Sequence, residues 1–536
     1  VANATLLSQE TIAQFYQMFA NADSAISFYS MGVNQSVSGV DNANSIINCH
    51  LASGKIGKKG SGPFSITGQP NAMGGREVGG LANMLAAHLD IENPQHNSLV
   101  REFWSAPRMA QKNGQKAVDM FDNILAGNIK FVWIMGTNPV VSMPNRQRIE
   151  AALKKCEMVV VSDIVSHTDT IAFADIVLPA SGWSEKDGTV TNSERCISRQ
   201  RGIMPLQGEC KHDWQIVCNL AQKLGFGSAF DYQGPHQIFS EHARLSGVEN
   251  HATRAFDISG LADISQQGYN ALKPIQWPVN KTYPNGSKRL FNDGQFFTPS
   301  KKAHFIQVAA SMPEQLTSKE FPFVLNTGRM RDQWHTMTRT GKAHALTAHQ
   351  QQAEVHIHPN DAAEENIANG DLIALVSKHN RTQPVIAPVK ITTDVKLGEL
   401  FAPIHWSKSN SSHVALASVF TSANDPISGQ PELKHAAVAL KKVIPKAMVL
   451  LALKKSYINE YERLADYQVR INQGDFWLYQ LSEIDELSAQ KPPTTAYSLS
   501  QVVTRKLANL DLSTHLSWLS KARANNAMQI KLGFDQ

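Results

Sequence analysis

Several stretches of this 536-residue chain combine cations, hydroxyls and glycines at spacings that suit the binding of phosphate groups. "LNTGRMRDQWHTMTRTG" carries Thr327, Gly328, Arg329, Arg331, Gln333, His335, Thr338 and Arg339. A guanidinium presents a planar fork that matches phosphate oxygens, so arginines among hydroxyls make a clamp for a polyanion. His335 read alone is more often a satisfied buried histidine. "MGTNPVVSMPNRQR" sets Gly136, Thr137 and Asn138 after an apolar run and before a helical pattern. Free backbone amides and the helix dipole favour an anion there, although Asn-Pro is also an ordinary turn. "VVVSDIVSHTDT" ends an apolar run on Ser162 and Asp163. An acid at such a tip accepts from ribose hydroxyls or a base edge, or else caps the next helix. "LPASGWSEKDGTVTNSERCISRQR" adds Gly188 and Thr189 in a stretch whose default reading is a solvated polar loop.

A further stretch, "GPFSITGQPNAMGGREVGG", packs six glycines and two prolines into nineteen residues and holds one cation, Arg76, beside Glu77. Ordered glycine-rich backbone is expensive in entropy and buries little, so it is kept for a backbone shape or for close approach to a ligand. The alternatives are a flexible surface loop, or an Arg76 that pairs with Glu77 or caps a helix beginning "REVGGLANMLAAHL". No nucleophile–base–orienter set, HExxH, Walker loop or GxSxG is present. The five cysteines, Cys49, Cys156, Cys196, Cys210 and Cys218, form no CxxC pair, and no complete zinc or iron–sulfur site is spelled out. Such cysteine usage points to a reducing, cytoplasmic compartment. The net charge of +5 is scattered rather than striped, which argues against a nucleic-acid surface. No run reaches the length of a membrane span.

Elements that position these residues follow from hydrophobic periodicity. Residues 115 to 230 alternate helix and strand: "QKAVDMFDNILAG" (helix), "IKFVWIMG" (strand), "TNPVVSMPNRQRIEAALKKC" (a turn at Asn-Pro, then a helix), "EMVVVSDI" (strand), "HTDTIAFA" (helix) and "DIVLPA" (strand). That order predicts a parallel sheet with ligand groups at the carboxyl ends of its strands. Short strands from about 320, "FPFVLNTG" through "GELFAPIHW", predict a small six-stranded-type β-barrel. Residues 446–536 read as a helical extension, with "KAMVLLALKK" as one buried or docking helix. The fold class is therefore α/β, with parallel-sheet dinucleotide-binding-type domains followed by the barrel and a helical tail. The expected divisions are 1–110, 111–231, a connecting or inserted segment 232–315, the barrel domain 316–445, and 446–536.

In order along the chain, "GVNQS", the glycine-rich block, "MGTNPVVSMPN", "DIVLPASGWSEKDGTVTNSER", "LNTGRMRDQWHTMTRTG" and "NDPISGQPELK" resemble the molybdopterin oxidoreductases of the dimethyl-sulfoxide-reductase superfamily. Within it they are most similar to the catalytic subunits of assimilatory nitrate reductases, over roughly residues 25 to 440. The resemblance implies molybdenum held by two molybdopterin guanine dinucleotides, and reduction of nitrate to nitrite by oxygen-atom transfer with two electrons from a donor protein or domain of unknown identity. By motif, Gly136, Thr137, Asn138, Ser162, Asp163, Gly188 and Thr189 would serve one dinucleotide. Thr327, Gly328, Arg331, Gln333, His335, Thr338, Asn424, Gln430, Lys434 and the "HWSKSNSS" segment would serve the pterins. The glycine-rich stretch becomes a wall of the molybdenum pocket, with Arg76 facing nitrate and Glu77 orienting Arg76.

Family members carry a cysteine cluster for a 4Fe-4S centre and a molybdenum-ligating cysteine upstream of the first matching block. Cys49 lies after that point and is not taken as a metal ligand, and Cys196 stands where the motif usually has a second arginine. The chain therefore reads as a carboxyl-terminal part, inactive by itself. The alternatives are another molybdopterin oxidoreductase such as formate dehydrogenase, or a non-catalytic dinucleotide-binding scaffold.

Overall fold

The apolar runs on either side of the Asn-Pro turn pair in parallel, Phe131–Met135 beside Met158–Asp163, as a crossover connection through a helix requires. Helices Ala117–Ala126 and Arg146–Lys155 turn Phe121, Ile124, Ile149 and Leu153 onto Val132, Ile134, Val159 and Val161. This apolar layer fixes both strand tips, and with them Gly136 and Ser162. The expected helix in "HTDTIAFA" is only a single 3-10 turn, Ile171–Phe173. Its threonines are drawn into side-chain bonds, Thr168 Oγ1 accepting from the N–H of Ile171 at 3.0 Å.

The structure, a computed structural model, describes residues 1–309, 311–455, 464–484, 516–524 and 527–534. Its contacts divide the chain into two units, each discontinuous in sequence. The first comprises Val1–Asn34, Ser38–Lys116 and Leu178–Ala310, and the second Gln35–Val37, Ala117–Val177 and Ser311–Gln536. This partition differs from the consecutive divisions suggested by the sequence, because residues 178–310 pack back onto the amino-terminal segment.

In the first unit, strands Ile26–Tyr29 and Gly62–Ser65 pair in parallel around helix Gly39–Ala52. The region read as a connecting or inserted segment builds a core instead: Phe239, Leu245, Phe256 and Trp277 are buried together with Leu89 and Val100. Helix Pro235–Gly247 starts on a proline, which is preorganised for the first helical turn.

In the second unit six strands close into a barrel, in the order Phe323–Gly328, Glu399–Pro403, Val355–Ile357, Val385–Ile391, Leu372–Val376 and Ala436–Val443. Leu325, Ile357, Leu375, Val389 and Val438 fill it. The expected helical tail is sheet in its described residues. Strand Pro445–Lys454, the run expected to be a helix, pairs antiparallel with Phe476–Ile484 and parallel with Ala527–Phe534. A short apolar run carries no period that separates helix from strand, so strand partners on both sides decide it. Among the described residues no helix is long and apolar enough to cross a membrane.

Candidate functional site

The glycine-rich stretch folds into a short helix, Ala72–Glu77, that is fastened at both ends to one strand, Gly188–Thr191. At its start Asn71 Oδ1 accepts the backbone N–H of Thr191 at 2.8 Å. At its end the buried Glu77 accepts from Thr191 Oγ1 at 2.8 Å and from the indole N–H of Trp277 at 2.6 Å. Both Glu77 oxygens are thus occupied, and Arg76 is not among their partners, so the alternative in which Arg76 pairs with Glu77 is not met. The helix ends rather than begins at these residues, so Arg76 does not cap a following one. With Glu77 turned inward, the adjacent Arg76 side chain is exposed. Burial pushes the Glu77 carboxyl up to about 7 against the pull of its two donors. His88 is held below its ordinary value by burial and then by the charges of Arg76 and Arg254.

Glycine is required where the chain leaves this helix. Gly79 has φ +76°, and a Cβ there would lie 2.6 Å from the backbone nitrogen of Ala86. Gly188 and Thr189, expected in a loop, lie in a hairpin strand opposite Gln200 and Arg199. The Arg199 guanidinium bonds Asp187 at 2.7 Å and the Gly188 carbonyl, and its centre stands 3.9 Å from the Tyr269 ring.

In the second unit the strand tips meet where the Gly136 N–H donates to the Ser162 carbonyl at 2.9 Å. Gly136 has φ +60°, and Gly136 and Thr137 are both exposed. Ser162 and Asn138 are buried and occupied by the protein itself. Ser162 Oγ accepts the Trp133 indole N–H at 2.7 Å. Asn138 accepts from Thr170 at 2.6 Å and donates to Thr336 at 3.2 Å, which fastens the strand-tip loop to the loop after the first barrel strand. Asp163 precedes no helix and accepts the N–H of Ile164 at 2.6 Å. Burial raises its carboxyl, opposed by backbone donors and by the charge of Arg339.

The loop after strand Phe323–Gly328 holds a cluster of cations with little acid among them. Lys434 Nζ reaches the Thr327 carbonyl at 2.5 Å and its hydroxyl at 3.3 Å. Burial, reinforced by the Arg329 charge, pulls Lys434 down to about 8, and burial also lowers Arg329. His335 lies 3.5 Å from Arg329 Nη1 and is held down to about 4 by burial, Arg329, Arg339 and His405. His335 and Met337 both have left-handed φ, +45° and +61°, an uncommon state for side-chain-bearing residues that surrounding structure must maintain. His405 is buried between two backbone groups: its Nε2 accepts the Met330 N–H at 2.7 Å, and its Nδ1 donates to the His335 carbonyl at 2.7 Å. That pair of bonds fixes one neutral tautomer.

Other expected residues occupy different places. Arg331 is exposed and bidentate on its neighbour Asp332, so Arg329 takes the inward position instead. Gln333 is consumed by Thr340 and the Leu346 carbonyl, each at 2.7 Å. Gly328 is required by packing, since a Cβ would lie 2.5 Å from the Phe401 ring. Thr338 is half-buried, and Asn424 and Gln430 belong to a turn in which the Gln430 carbonyl accepts from Asp425 at 2.9 Å. The "HWSKSNSS" segment is tied to helix Arg146–Lys155 through Asp169, which takes Arg146 at 2.9 Å and Ser409 at 3.3 Å.

Sequence reasoning gave Arg329 and Arg339 no distinct role and did not separate His405 from its segment. Only the alternation of the strand before them, in which Phe323, Leu325 and Thr327 face inward, hints at which arginine turns in.

Two family models match the chain: "Molybdopterin oxidoreductase" over residues 6–223 and "Molydopterin dinucleotide binding domain" over 323–437. A nitrate reductase of Klebsiella oxytoca is 47% identical over 447 residues, covering 83% of this chain and 50% of that protein. The assimilatory nitrate reductase catalytic subunit of Bacillus subtilis is 32% identical, over 83% of this chain and 60% of that one. The alpha subunit of an F420-dependent formate dehydrogenase from Methanocaldococcus jannaschii is 33% identical, over 82% of this chain and 61% of that one. The chain thus spans about half to three-fifths of the length of these relatives.

Proposed function

Because the chain belongs to the molybdopterin oxidoreductases, we propose that it is part of the catalytic subunit of an assimilatory nitrate reductase that reduces nitrate to nitrite. The observation that carries the cofactor assignment is the cluster of Thr327, Arg329 and Lys434. Among the described residues Lys434 has no carboxylate partner, and its proton is held weakly because the ammonium is buried and, second, because Arg329 stands beside it. A lysine and an arginine gathered at such a cost fit a polyanion. Neutral His335 adds hydrogen-bonding capacity without adding charge, and His405, bonded to the Met330 N–H and the His335 carbonyl, holds that loop in place.

When bound, a molybdenum bis-pterin guanine dinucleotide supplies the two-electron redox chemistry and the oxygen-atom transfer. The chain's own contribution is to bind and to orient. Arg329 and Lys434 hold anionic oxygens at the barrel loop. The exposed turn at Gly136 and Thr137, with Asp163, receives a dinucleotide at the strand tips. Arg76, presented by the anchored helix, holds the nitrate anion and stabilises charge that develops as an oxygen departs. Nitrate is favoured over formate because the Klebsiella nitrate reductase matches at 47% identity and the formate dehydrogenase at 33%. The same reading assigns the complete enzyme a 4Fe-4S cluster, an electron-donor protein or domain and a cytoplasmic location.

The test is turnover by the complete protein, with reduced viologen and nitrate in one arm and formate with oxidised viologen in the other. Nitrite formation with one molybdenum per chain supports the reading. Formate oxidation without nitrite formation overturns the substrate, and a fully expressed protein that binds no molybdenum in a cofactor-competent host overturns the enzyme.

A further inference from the structure

In the first unit the turn Ala86–His88 joins two short antiparallel strands, Met84–Leu85 and Leu89–Asp90. Ala87 and His88 both have left-handed φ, +59° and +57°, and neither is glycine. Two such residues in succession persist only where the surroundings over-determine them, and backbone of this kind gathers at functional sites. Here Ala86, Ala87 and Leu89 are buried, which fixes the turn, while His88 is half-buried. The turn packs against the end of the helix that carries Arg76. Gly79, just past that helix, has no room for a Cβ, which would lie 2.6 Å from both the Ala86 nitrogen and the Leu85 carbonyl carbon.

The centre of the His88 ring stands 6.0 Å from that of Trp277, whose indole N–H holds Glu77, the neighbour of Arg76. One indole therefore supports both the imidazole and the helix end. Phe256 adds a second ring at 5.4 Å. Among the described residues neither ring nitrogen of His88 has a hydrogen-bond partner, and the charges that bear on the ring are both positive, Arg76 and Arg254. A half-buried imidazole with unused nitrogens among cations is suited to an anion.

We propose that His88 joins Arg76 in holding nitrate, its ring donating a hydrogen bond to the anion and taking up a solvent proton as the anion enters. The proposal rests on the assignment of Arg76 to nitrate and adds to it a group that changes charge. Burial and the two cations keep the ring neutral near pH 7 until an anion offsets them. Proton and nitrate then favour each other's binding by the same factor. The other groups around the ring do not produce this coupling. Arg76 and Arg254 stay charged. His242, on helix Pro235–Gly247, is pulled down to about 4 and is neutral above that. Asp257 and His96 bear on Arg254, and Asp90 on His96. Glu77 does titrate near 7, so the test removes it.

The test uses the complete, cofactor-loaded protein carrying Glu77→Gln, with and without His88→Asn. Asparagine tolerates left-handed backbone and keeps an amide donor but cannot ionise. With His88 present, the KM for nitrate should rise severalfold from pH 6 to pH 8 as the ring loses its proton. His88→Asn should raise the KM about tenfold at pH 6 and flatten that rise, with kcat within about threefold and molybdenum content unchanged. A second readout needs no turnover. At pH 7 an indicator dye should record uptake of up to about one proton per nitrate bound by the oxidised protein with His88, and none with His88→Asn. If His88→Asn does not fold or load, His88→Gln replaces it, and if that also fails, proton uptake by the protein with His88 decides alone. A KM independent of pH, no proton uptake, or the same profile in His88→Asn each overturns the proposal, while nitrite formation leaves the nitrate reading standing. A protein that forms no nitrite overturns that reading and this proposal with it.

Discussion

The indole N–H of Trp277 reaches the Oε1 of Glu77 at 2.6 Å across 200 residues of sequence. With Thr191 on the other oxygen, this bond holds the end of the helix that presents Arg76. The carboxyl so held sits near 7, above its ordinary 4.5. An acid whose folded value is raised favours folding when protonated, so its contribution is complete below 4.5 and is lost as pH rises through about 7. The shift corresponds to about 3 kcal/mol. Glu77→Gln keeps an acceptor for Trp277 and should remove this slope, leaving the variant at least as stable as the parent at pH 8. Thermal melts from pH 4.5 to pH 8 check it; an unchanged slope means Glu77 does not titrate in that window.

Arg76→Lys in the complete enzyme should lower nitrate turnover about a hundredfold or more, because a point charge cannot reproduce a planar fork against an oxyanion. Since Glu77 is anchored elsewhere, molybdenum content and melting temperature should stay near the parent's. Unchanged nitrate kinetics, or activity lost only in step with cofactor, would remove Arg76 from the site.

Arg329 and Arg331 are two residues apart and face different surroundings, one among Lys434 and His335, the other exposed on Asp332. Arg329→Gln should reduce molybdenum content of the complete enzyme severalfold, as loss of a charged bond to a ligand commonly removes about 1.5–3 kcal/mol. Arg331→Gln should change it less than about twofold. Equal effects would mean that the loop rearranges around the cofactor.

Lys434 is held down to about 8, and a base whose folded value is depressed works against folding as pH falls through that value. Without cofactor, Lys434→Met should therefore stabilise the chain at pH 7, by about 1–2 kcal/mol once partial exposure is discounted. The same change should weaken the rise in melting temperature that pyrophosphate gives the parent. A variant less stable than the parent at pH 7 would show that the bonds to Thr327 outweigh the burial of charge.

Local periodicity was enough to place the strand tips, since Phe131–Met135 and Met158–Asp163 owe their pairing to apolar runs that read plainly. The barrel was legible for the same reason. The partners of Glu77 were not, because Thr191 and Trp277 lie 114 and 200 residues away and nothing local marks them. The choice between Arg329 and Arg331 depends on which way a loop with two left-handed residues turns, and neither left-handed residue is glycine. The strand Pro445–Lys454 was unreadable because its partners decide its state.

Asp163→Ala should lower dinucleotide retention, and with it molybdenum per chain, more than turnover per molybdenum. The partly buried carboxyl stands at a strand tip beside Arg339. Unchanged occupancy with slower turnover would give Asp163 a different role.

Residues Gln35–Val37 belong to the second unit although the chain on both sides of them belongs to the first. Their partners come late: the Val37 N–H donates to Glu432 at a separation of 395 residues, and the Gln35 carbonyl accepts from Leu433. A ribosome adding about 5–20 residues per second needs about 20–80 s to span that interval. The early segment must wait through that time without its mate, so the second unit cannot close around residues 35–37 until residues 432 and 433 have been made.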